Sequence, residues 1–145
     1  MTGVVQRFDT QPMLQHLRGL ERLNNSHFIS VRREIGEYML GNVQDNLDTQ
    51  RLADGKAMPP SKAADKRGGK TLIKTHRLYD SYAYQLRDAG VEIGSAAIYS
   101  AIHHFGGTTG RGGKTKITPR PVLGVSSKQE RAIGDYMIAA IGRLP

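Results

Sequence analysis

The chain has 145 residues, which suits a single domain over 1–145, and its formal net charge is +8. Only 38% of its residues are hydrophobic, with three Phe and no Trp, so we expect a modest core that neighbouring subunits help to complete. The absence of cysteine excludes disulfides, thiolate catalysis and cysteine-ligated zinc. No apolar run approaches the ~20 residues that span a membrane and no signal-peptide pattern is evident, so we expect a cytosolic product with no membrane partner.

Apolar spacing predicts two helices in the first third of the chain. Residues 1–25 form an arm with a short helix over 11–23, where several apolar side chains share one face behind Pro12. A longer helix is predicted from about 27 to 51, because apolar residues recur there at steps of three and four. Its single apolar stripe must pack on a sheet or on other helices.

Glycine and proline mark where the long helix weakens and where it ends. Gly36 and Gly41 each weaken it by up to ~1 kcal/mol relative to Ala, and the pair would allow another backbone to approach closely. An Asp-Gly turn and a Pro-Pro pair then exclude helix continuation. We therefore expect residues 54–71 to form an exposed, flexible loop.

Shorter elements are predicted for the middle of the chain. Residues 79–81 are predicted to close a helical turn. Residues 82–86 and 91–93 alternate in side-chain character around a turn at 88–90, which is the pattern of a β-hairpin with one buried face. A short helix over 96–105 follows, stopped by two glycines.

An extended segment and a helix are predicted for the C-terminal part. Pro119 and Pro121 forbid a helix over 117–125, and we expect an edge strand there because proline lacks a ladder donor. A last helix begins at Ser126, an N-cap candidate with Glu130 close behind. The predicted fold class is α+β: a long N-terminal helix and a C-terminal helix packed on a small antiparallel β-sheet, with two long basic loops.

The excess positive charge is concentrated in two segments rich in Gly, Pro or Ser. Residues 51–77 carry eight basic and two acidic side chains, and residues 103–128 carry five basic ones and no acidic one. Such clustering is typical of a surface that binds phosphate or an acidic face of a protein. The alternative is that these are solvated loops whose charge only keeps the protein soluble. The basic loops at 54–71 and 106–116 contain no Phe or Tyr to stack bases, so any nucleic-acid contact is expected to be non-specific and salt-dependent.

The pentapeptide Arg-Gly-Gly-Lys-Thr occurs twice, at 67–71 and at 111–115. Both copies end like a phosphate-binding P-loop, which also needs a Gly five positions before the Gly of Gly-Lys-Thr. Ala64 and Thr108 occupy those positions, and neither copy lies between an apolar strand and a helix. We therefore reject an NTPase, and we expect the Arg and Lys side chains to reach phosphates or carboxylates without a fixed geometry.

No catalytic, metal or cofactor site is predicted. Neighbouring histidines on a helix point about 100° apart, so His103 and His104 cannot hold one ion together. We expect one of them to pack inward and the other to face water or a partner. No nucleophile elbow and no defensible carboxylate pair is present, so we do not expect an enzyme.

An ordered series of short motifs runs from Leu-Tyr-Asp-Ser-Tyr at 78–82 and Val-Glu-Ile-Gly-Ser at 91–95 to the helix end at 99–107 and Pro-Arg-Pro-Val-Leu-Gly at 119–124. This series resembles the phage virion morphogenesis (tail-completion) family of Mu-like tailed phages. The resemblance covers about residues 30–144. The departures are Met-Pro-Pro in place of a tryptophan after the Asp-Gly turn, Ser for Ala in the helix, Pro for Ala before the arginine, and Val for an aromatic residue.

This resemblance implies a structural virion protein of the neck or tail end, needed for tail completion and head–tail joining and without chemistry or a cofactor. It implies a homo-oligomeric ring, expected to be a hexamer, with the head–tail connector and the tail tube or tail terminator proteins as partners. Assembly would take place in the host cytoplasm, with possible non-specific contact to packaged DNA. The alternative is a non-enzymatic basic nucleic-acid-binding protein.

Two sets of residues follow from these interpretations. Basic side chains of the loops are expected to contact a partner or DNA: Lys62, Lys66, Arg67, Lys70, Arg111, Lys114, Lys116 and Arg120. The family motif implies a structural role for a second set: Tyr99, His103, Phe105, Gly106, Gly107, Pro121, Leu123 and Gly124.

Overall fold

The structure is a computed structural model that describes residues 9–21, 25–87 and 90–143. It confirms the α+β class. The helices are α1 Gln11–Glu21, α2 Asn25–Thr49, α3 Lys62–Arg67, α4 Arg77–Ser81, α5 Ser100–Phe105 and α6 Ser127–Gly142. The strands are β1 Tyr82–Arg87, β2 Gly90–Ser95, β3 Gly107–Thr109 and β4 Thr115–Ile117, and they form two separate antiparallel pairs, β1–β2 and β3–β4.

Helix α2 is the central element, as its apolar stripe predicts. The β1–β2 hairpin packs along it, and α6 packs against its first half. Val31, Ile35 and Met39 are buried towards β2 and α6. Val43 and Leu47, the latter wholly inaccessible, form a second cluster with residues from the loops and from α4 and β1: Met58, Leu78, Tyr82 and Val122. The core is therefore one stripe of α2 covered by short elements.

One of the two helix glycines is required by packing. A Cβ on Gly36 would lie 2.5 Å from Cδ2 of Tyr84 in β1, whereas a Cβ on Gly41 would have nothing within 4 Å. The close approach predicted for these glycines therefore occurs only at Gly36, and the neighbour is an aromatic ring rather than a backbone. This contact fixes how closely the hairpin lies against α2.

Several predicted elements are confirmed. The hairpin pairs Tyr82 with Ser95 and Leu86 with Val91, although most of the turn predicted at 88–90 lies outside the described residues. Helix α6 begins at a capping box in which Ser126 Oγ accepts from the backbone N–H of Gln129, so the box uses Gln129 and not the neighbouring glutamate. Helix α1 occupies the predicted range as far as the structure describes it.

The predicted loop at 54–71 contains regular structure. Ser61 caps α3 by accepting a hydrogen bond from the Ala64 N–H, and Gly68 ends it in the left-handed conformation, with φ of 64°. Ala64 and Thr71 are buried. Helix α2 ends at Thr49, where Gln50 has φ of 55°, well before the Pro-Pro pair at 59–60. The pair did not prevent a new helix from starting immediately after it.

Two further predictions for the C-terminal half are wrong. Residues 106–116, expected to be an irregular loop, lie mostly in the β3–β4 hairpin and its short 3₁₀ turn at Arg111–Gly113. Of residues 117–125, expected to form an edge strand, only Ile117 is in a strand, and 118–125 have no regular secondary structure. Both prolines lie in this irregular stretch, where hydrogen bonds from other parts of the molecule replace a strand ladder.

Candidate functional site

The two basic segments place their cations in different environments. Arg120 is the extreme case, because its side chain is only 7% exposed. Its Nε donates to the carbonyl of Pro59 at 2.6 Å, and its two Nη atoms donate to the carbonyls of Thr118 and Pro60 at 3.2 and 3.3 Å. Burial lowers the pKa of this guanidinium from its ordinary value. Arg120, predicted to contact a partner, is buried, and its side chain links two irregular segments of the chain through these hydrogen bonds.

Further hydrogen bonds to the backbone of residues 120–122 hold the proline-rich stretch in place. The Arg120 N–H donates to the His103 carbonyl at 2.7 Å, and the Pro121 carbonyl accepts from the Ala53 N–H at 2.9 Å. The side chain of Asn46 in α2 donates to the Val122 carbonyl at 3.2 Å. The proline-rich stretch is thereby tied to α2, to the loop after it and to α5.

The first copy of the repeated pentapeptide is folded against the body of the molecule. An Nη atom of Arg67 donates to the carbonyls of Lys70 and Ile73, at 2.7 and 3.2 Å. The Nζ of Lys70 donates to the Asp48 carbonyl of α2 at 2.7 Å. Thr71 is buried, and its hydroxyl oxygen accepts from the Ser61 N–H. Both cations remain exposed, but their positions are set by carbonyl groups and not by a phosphate cradle.

The remaining predicted contact residues point away from the body. The β3–β4 hairpin carries Arg111, Lys114 and Lys116, and α3 carries Lys62 and Lys66. All five are exposed, and none of their side chains makes a hydrogen bond or ion pair with the part of the chain that the structure describes. The structure therefore divides the predicted set into one buried, two tethered and five projecting cations.

The family-motif residues bring α5 and the proline-rich stretch together. Gly106 ends α5 with φ of 72°, and a Cβ there would lie 2.9 Å from the Ile117 carbonyl oxygen. A Cβ on Gly124 would lie 2.8 Å from Cβ of Ala53. Leu123 packs on the core cluster around Leu47. These positions are explained by close packing.

The two histidines do not separate into one inward and one outward residue. Both are half-buried, and Nδ1 of each is buried without a hydrogen-bond partner in the described structure. The ring of His103 meets the ring of Tyr99 edge-on, with centroids 6.2 Å apart. Burial, and then the positive charge of Arg120, lower the pKa of His103 below its ordinary value of 6.5.

Exposed apolar side chains form a feature that the sequence analysis did not assign to a surface. On α1, Met13, Leu14 and Leu17 are 40–66% exposed. Around α5, Ile98 is 97% and Phe105 77% exposed. Val125, Met137 and Ile138 are exposed as well. The signal was present for α1, whose apolar face had no assigned partner in the chain.

Two kinds of site are absent from the described residues. They contain no group of three or more His, Cys, Asp or Glu side chains that could hold a metal ion. Among them, too, no helix is both long enough and apolar enough to cross a membrane.

Comparison with known proteins identifies the family. A profile of the phage virion morphogenesis family matches residues 8–142. The Mu-like prophage FluMu G protein 2 of Haemophilus influenzae is 31% identical over 116 residues, which cover 79% of this chain and 80% of that protein. No solved structure matches. The chain therefore belongs to the phage virion morphogenesis family and has a role in virion morphogenesis, which suggests a structural, virion-associated protein.

Proposed function

We propose that the protein is a ring-forming structural subunit of the phage neck or tail end, needed to complete the tail and to join it to the head. Family membership supports the morphogenesis role. The observation that supports the ring is that large apolar side chains are exposed on several elements of one small domain, on α1 and around α5 and α6.

Contacts between two different surfaces of identical subunits generate rings when the rotation closes. Leu14 and Leu17 are exposed on α1, and Ile98 and Phe105 are exposed in and beside α5. Isolated exposed apolar residues are ordinary on a protein surface, but clusters of them mark interaction sites. We expect six subunits in the ring, with the head–tail connector and the tail tube or terminator proteins on its two sides.

A second candidate function is non-enzymatic binding of nucleic acid. The observation in its favour is the group of projecting cations on the β3–β4 hairpin, Arg111, Lys114 and Lys116, which no carboxylate of the described chain neutralises. In the neck, the same hairpin would make non-specific contact with packaged DNA. Titration of DNA binding against salt measures how many phosphates the isolated protein neutralises.

Electron microscopy of the phage that encodes this protein tests the primary proposal. With a stop codon early in the gene, we expect separate heads and incomplete tails, and restoration of joined particles when the gene is supplied from a plasmid. Joined, normal particles in the absence of the protein would refute the proposed role.

Native mass spectrometry of the purified protein tests the ring. We expect Leu17→Glu in the apolar face of α1 to shift the population towards the monomer, because it places a charge in the contact. Gln15→Glu adds the same charge to an exposed polar position of the same helix and is the matched control. A ring that is equally stable in both variants would exclude α1 from the interface.

A further inference from the structure

A cavity of about 340 Å³ connects the two basic segments of the chain. It lies between the stretch 61–78 on one side and α5, β4 and Arg120 on the other. Part of its wall is apolar, from Leu72, Leu78 and Ile117. Apart from Tyr99, the titratable side chains that line it are basic: Arg67, Lys74, His76, Arg77, His103 and Arg120. No Asp or Glu is among its lining residues.

The charges around this cavity lack carboxylate partners. The ion pairs Lys56–Asp54, Arg87–Glu92 and Arg143–Glu34 all lie outside the cavity lining. Only neutral carbonyl groups accept from the guanidinium groups of Arg67 and Arg120. A concave site lined by one sign of charge raises the local concentration of oppositely charged groups.

The two kinds of cation in the lining have complementary properties. The carbonyl contacts hold Arg67 and Arg120 in place, so their charge is already oriented before a ligand arrives. Lys74 and Arg77 are exposed and their side chains have no hydrogen-bond or ion-pair partner in the described structure, so they are available to close on a ligand. The buried, unpartnered Nδ1 of His103 is a further unused polar atom in this lining.

We propose that this cavity binds a carboxylate side chain carried on an apolar segment of a neighbouring virion protein. Charge complementarity calls for an anion, and the apolar wall suits the side chains that flank it on a peptide. A DNA duplex fits less well, because its phosphates lie on a convex rod that offers no apolar group to a recessed site. The nature of the partner as a virion protein rests on the proposed function; the site itself rests on the cavity.

A labelled peptide provides the test with the full-length protein. The probe is a fluorescein-labelled 12-residue peptide of alternating Leu and Glu, and its counterpart has Gln in place of every Glu. Fluorescence anisotropy measures binding of each peptide to the wild type and to two double variants. One variant, Lys74→Ala with Arg77→Ala, removes the two free cations of the cavity. The control, Arg111→Ala with Lys114→Ala, removes the same charge from the projecting hairpin.

We expect the cavity variant to bind the acidic peptide about tenfold more weakly, because two partly exposed ion pairs are lost together. The hairpin variant should bind it nearly as well as the wild type, and the Gln peptide should bind the wild type poorly. Thermal unfolding of both variants checks that each is folded. Histidine NMR signals of the wild type should include one that shifts on addition of the acidic peptide and is missing in His103→Gln.

Four outcomes would overturn the proposal. Both double variants could weaken binding of the acidic peptide equally, or the wild type could bind both peptides equally well. The wild type could show no saturable binding at about 1 mM peptide. Finally, the cavity variant could lose more affinity for a 20-base-pair DNA duplex than for the acidic peptide. The last outcome would assign the cavity to nucleic acid. None of them alters the expected electron microscopy of particles that lack the protein, so failure of the site and failure of the proposed function are distinguishable.

Discussion

The contact between Gly36 and Tyr84 leads to a prediction that two identical substitutions in one helix have opposite effects. Gly36→Ala and Gly41→Ala both add a single methyl group to α2, five residues apart. At position 36 the new Cβ lies 2.5, 2.7 and 2.9 Å from three ring carbons of Tyr84. At position 41, which is exposed, it meets nothing within 4 Å.

The expected magnitudes follow from these distances. Replacing Gly with Ala in a helix interior stabilises the helix by roughly 0.5–1 kcal/mol, so Gly41→Ala should raise the free energy of unfolding by that amount. Gly36→Ala gains the same helix stabilisation, but its Cβ would lie about 1 Å closer to the ring than ordinary carbon–carbon contact allows. Forcing a methyl group into a packed site costs about 1–3 kcal/mol. We therefore expect Gly36→Ala to be less stable than Gly41→Ala by about 1–3 kcal/mol.

Urea denaturation followed by circular dichroism measures this difference, since the slope is about 1–3 kcal/mol per M and should be equal in the two variants. A double-mutant cycle identifies the cause. In a Tyr84→Ala background the ring is absent, and Gly36→Ala should become as stabilising as Gly41→Ala. Equal stability of the two single variants, or a penalty at position 36 that persists without the ring, would refute the packing argument.

Three further predictions concern stability. Arg120→Met should lower the free energy of unfolding by about 3 kcal/mol or more, because three carbonyl groups lose a charged donor. Arg111→Ala, at an exposed position, should change the free energy of unfolding by less than about 0.5 kcal/mol in the same urea assay. Ser126→Ala should lower it by about 1 kcal/mol through loss of the capping box, whereas Ser127→Ala should not. The lowered pKa of His103 means that the unfolded chain takes up the proton first as pH falls. Its stabilising contribution is therefore complete above pH 6.5 and is lost as pH decreases through the lower folded-state value, so urea midpoints measured across this range should fall less steeply in His103→Gln.

The elements predicted correctly from the sequence are those whose signal is periodic and local. Helix α2 follows from its apolar residues at steps of three and four, and the β1–β2 hairpin from its alternation. The start of α6 follows from Ser126, although the second partner in the box is Gln129 and not Glu130. Each of these signals depends on one face of one element, which a single sequence records directly.

The errors concern segments whose structure depends on distant partners. The proline-rich stretch is extended by composition, but its carbonyls are bound by Ala53 and Asn46 instead of a neighbouring strand. The β3–β4 hairpin has few apolar residues, so no alternation reveals it. Helix α3 had a local signal in the Ser61 cap and the Gly68 stop, which the Pro-Pro pair beside them obscured.

The same limit explains why net charge alone could not locate the site. In the sequence, Arg120 and Arg111 belong to the same basic segment and have the same charge. In the fold, Arg120 is buried and binds three carbonyl groups, while Arg111 projects into solvent. Lys74 and Arg77, which the sequence analysis did not select, line a cavity together with cations of both segments. The fold, and not the net charge of a segment, therefore determines which cations a partner can contact. Removing the same charge from the cavity and from the β3–β4 hairpin distinguishes a specific binding site from a generally charged surface.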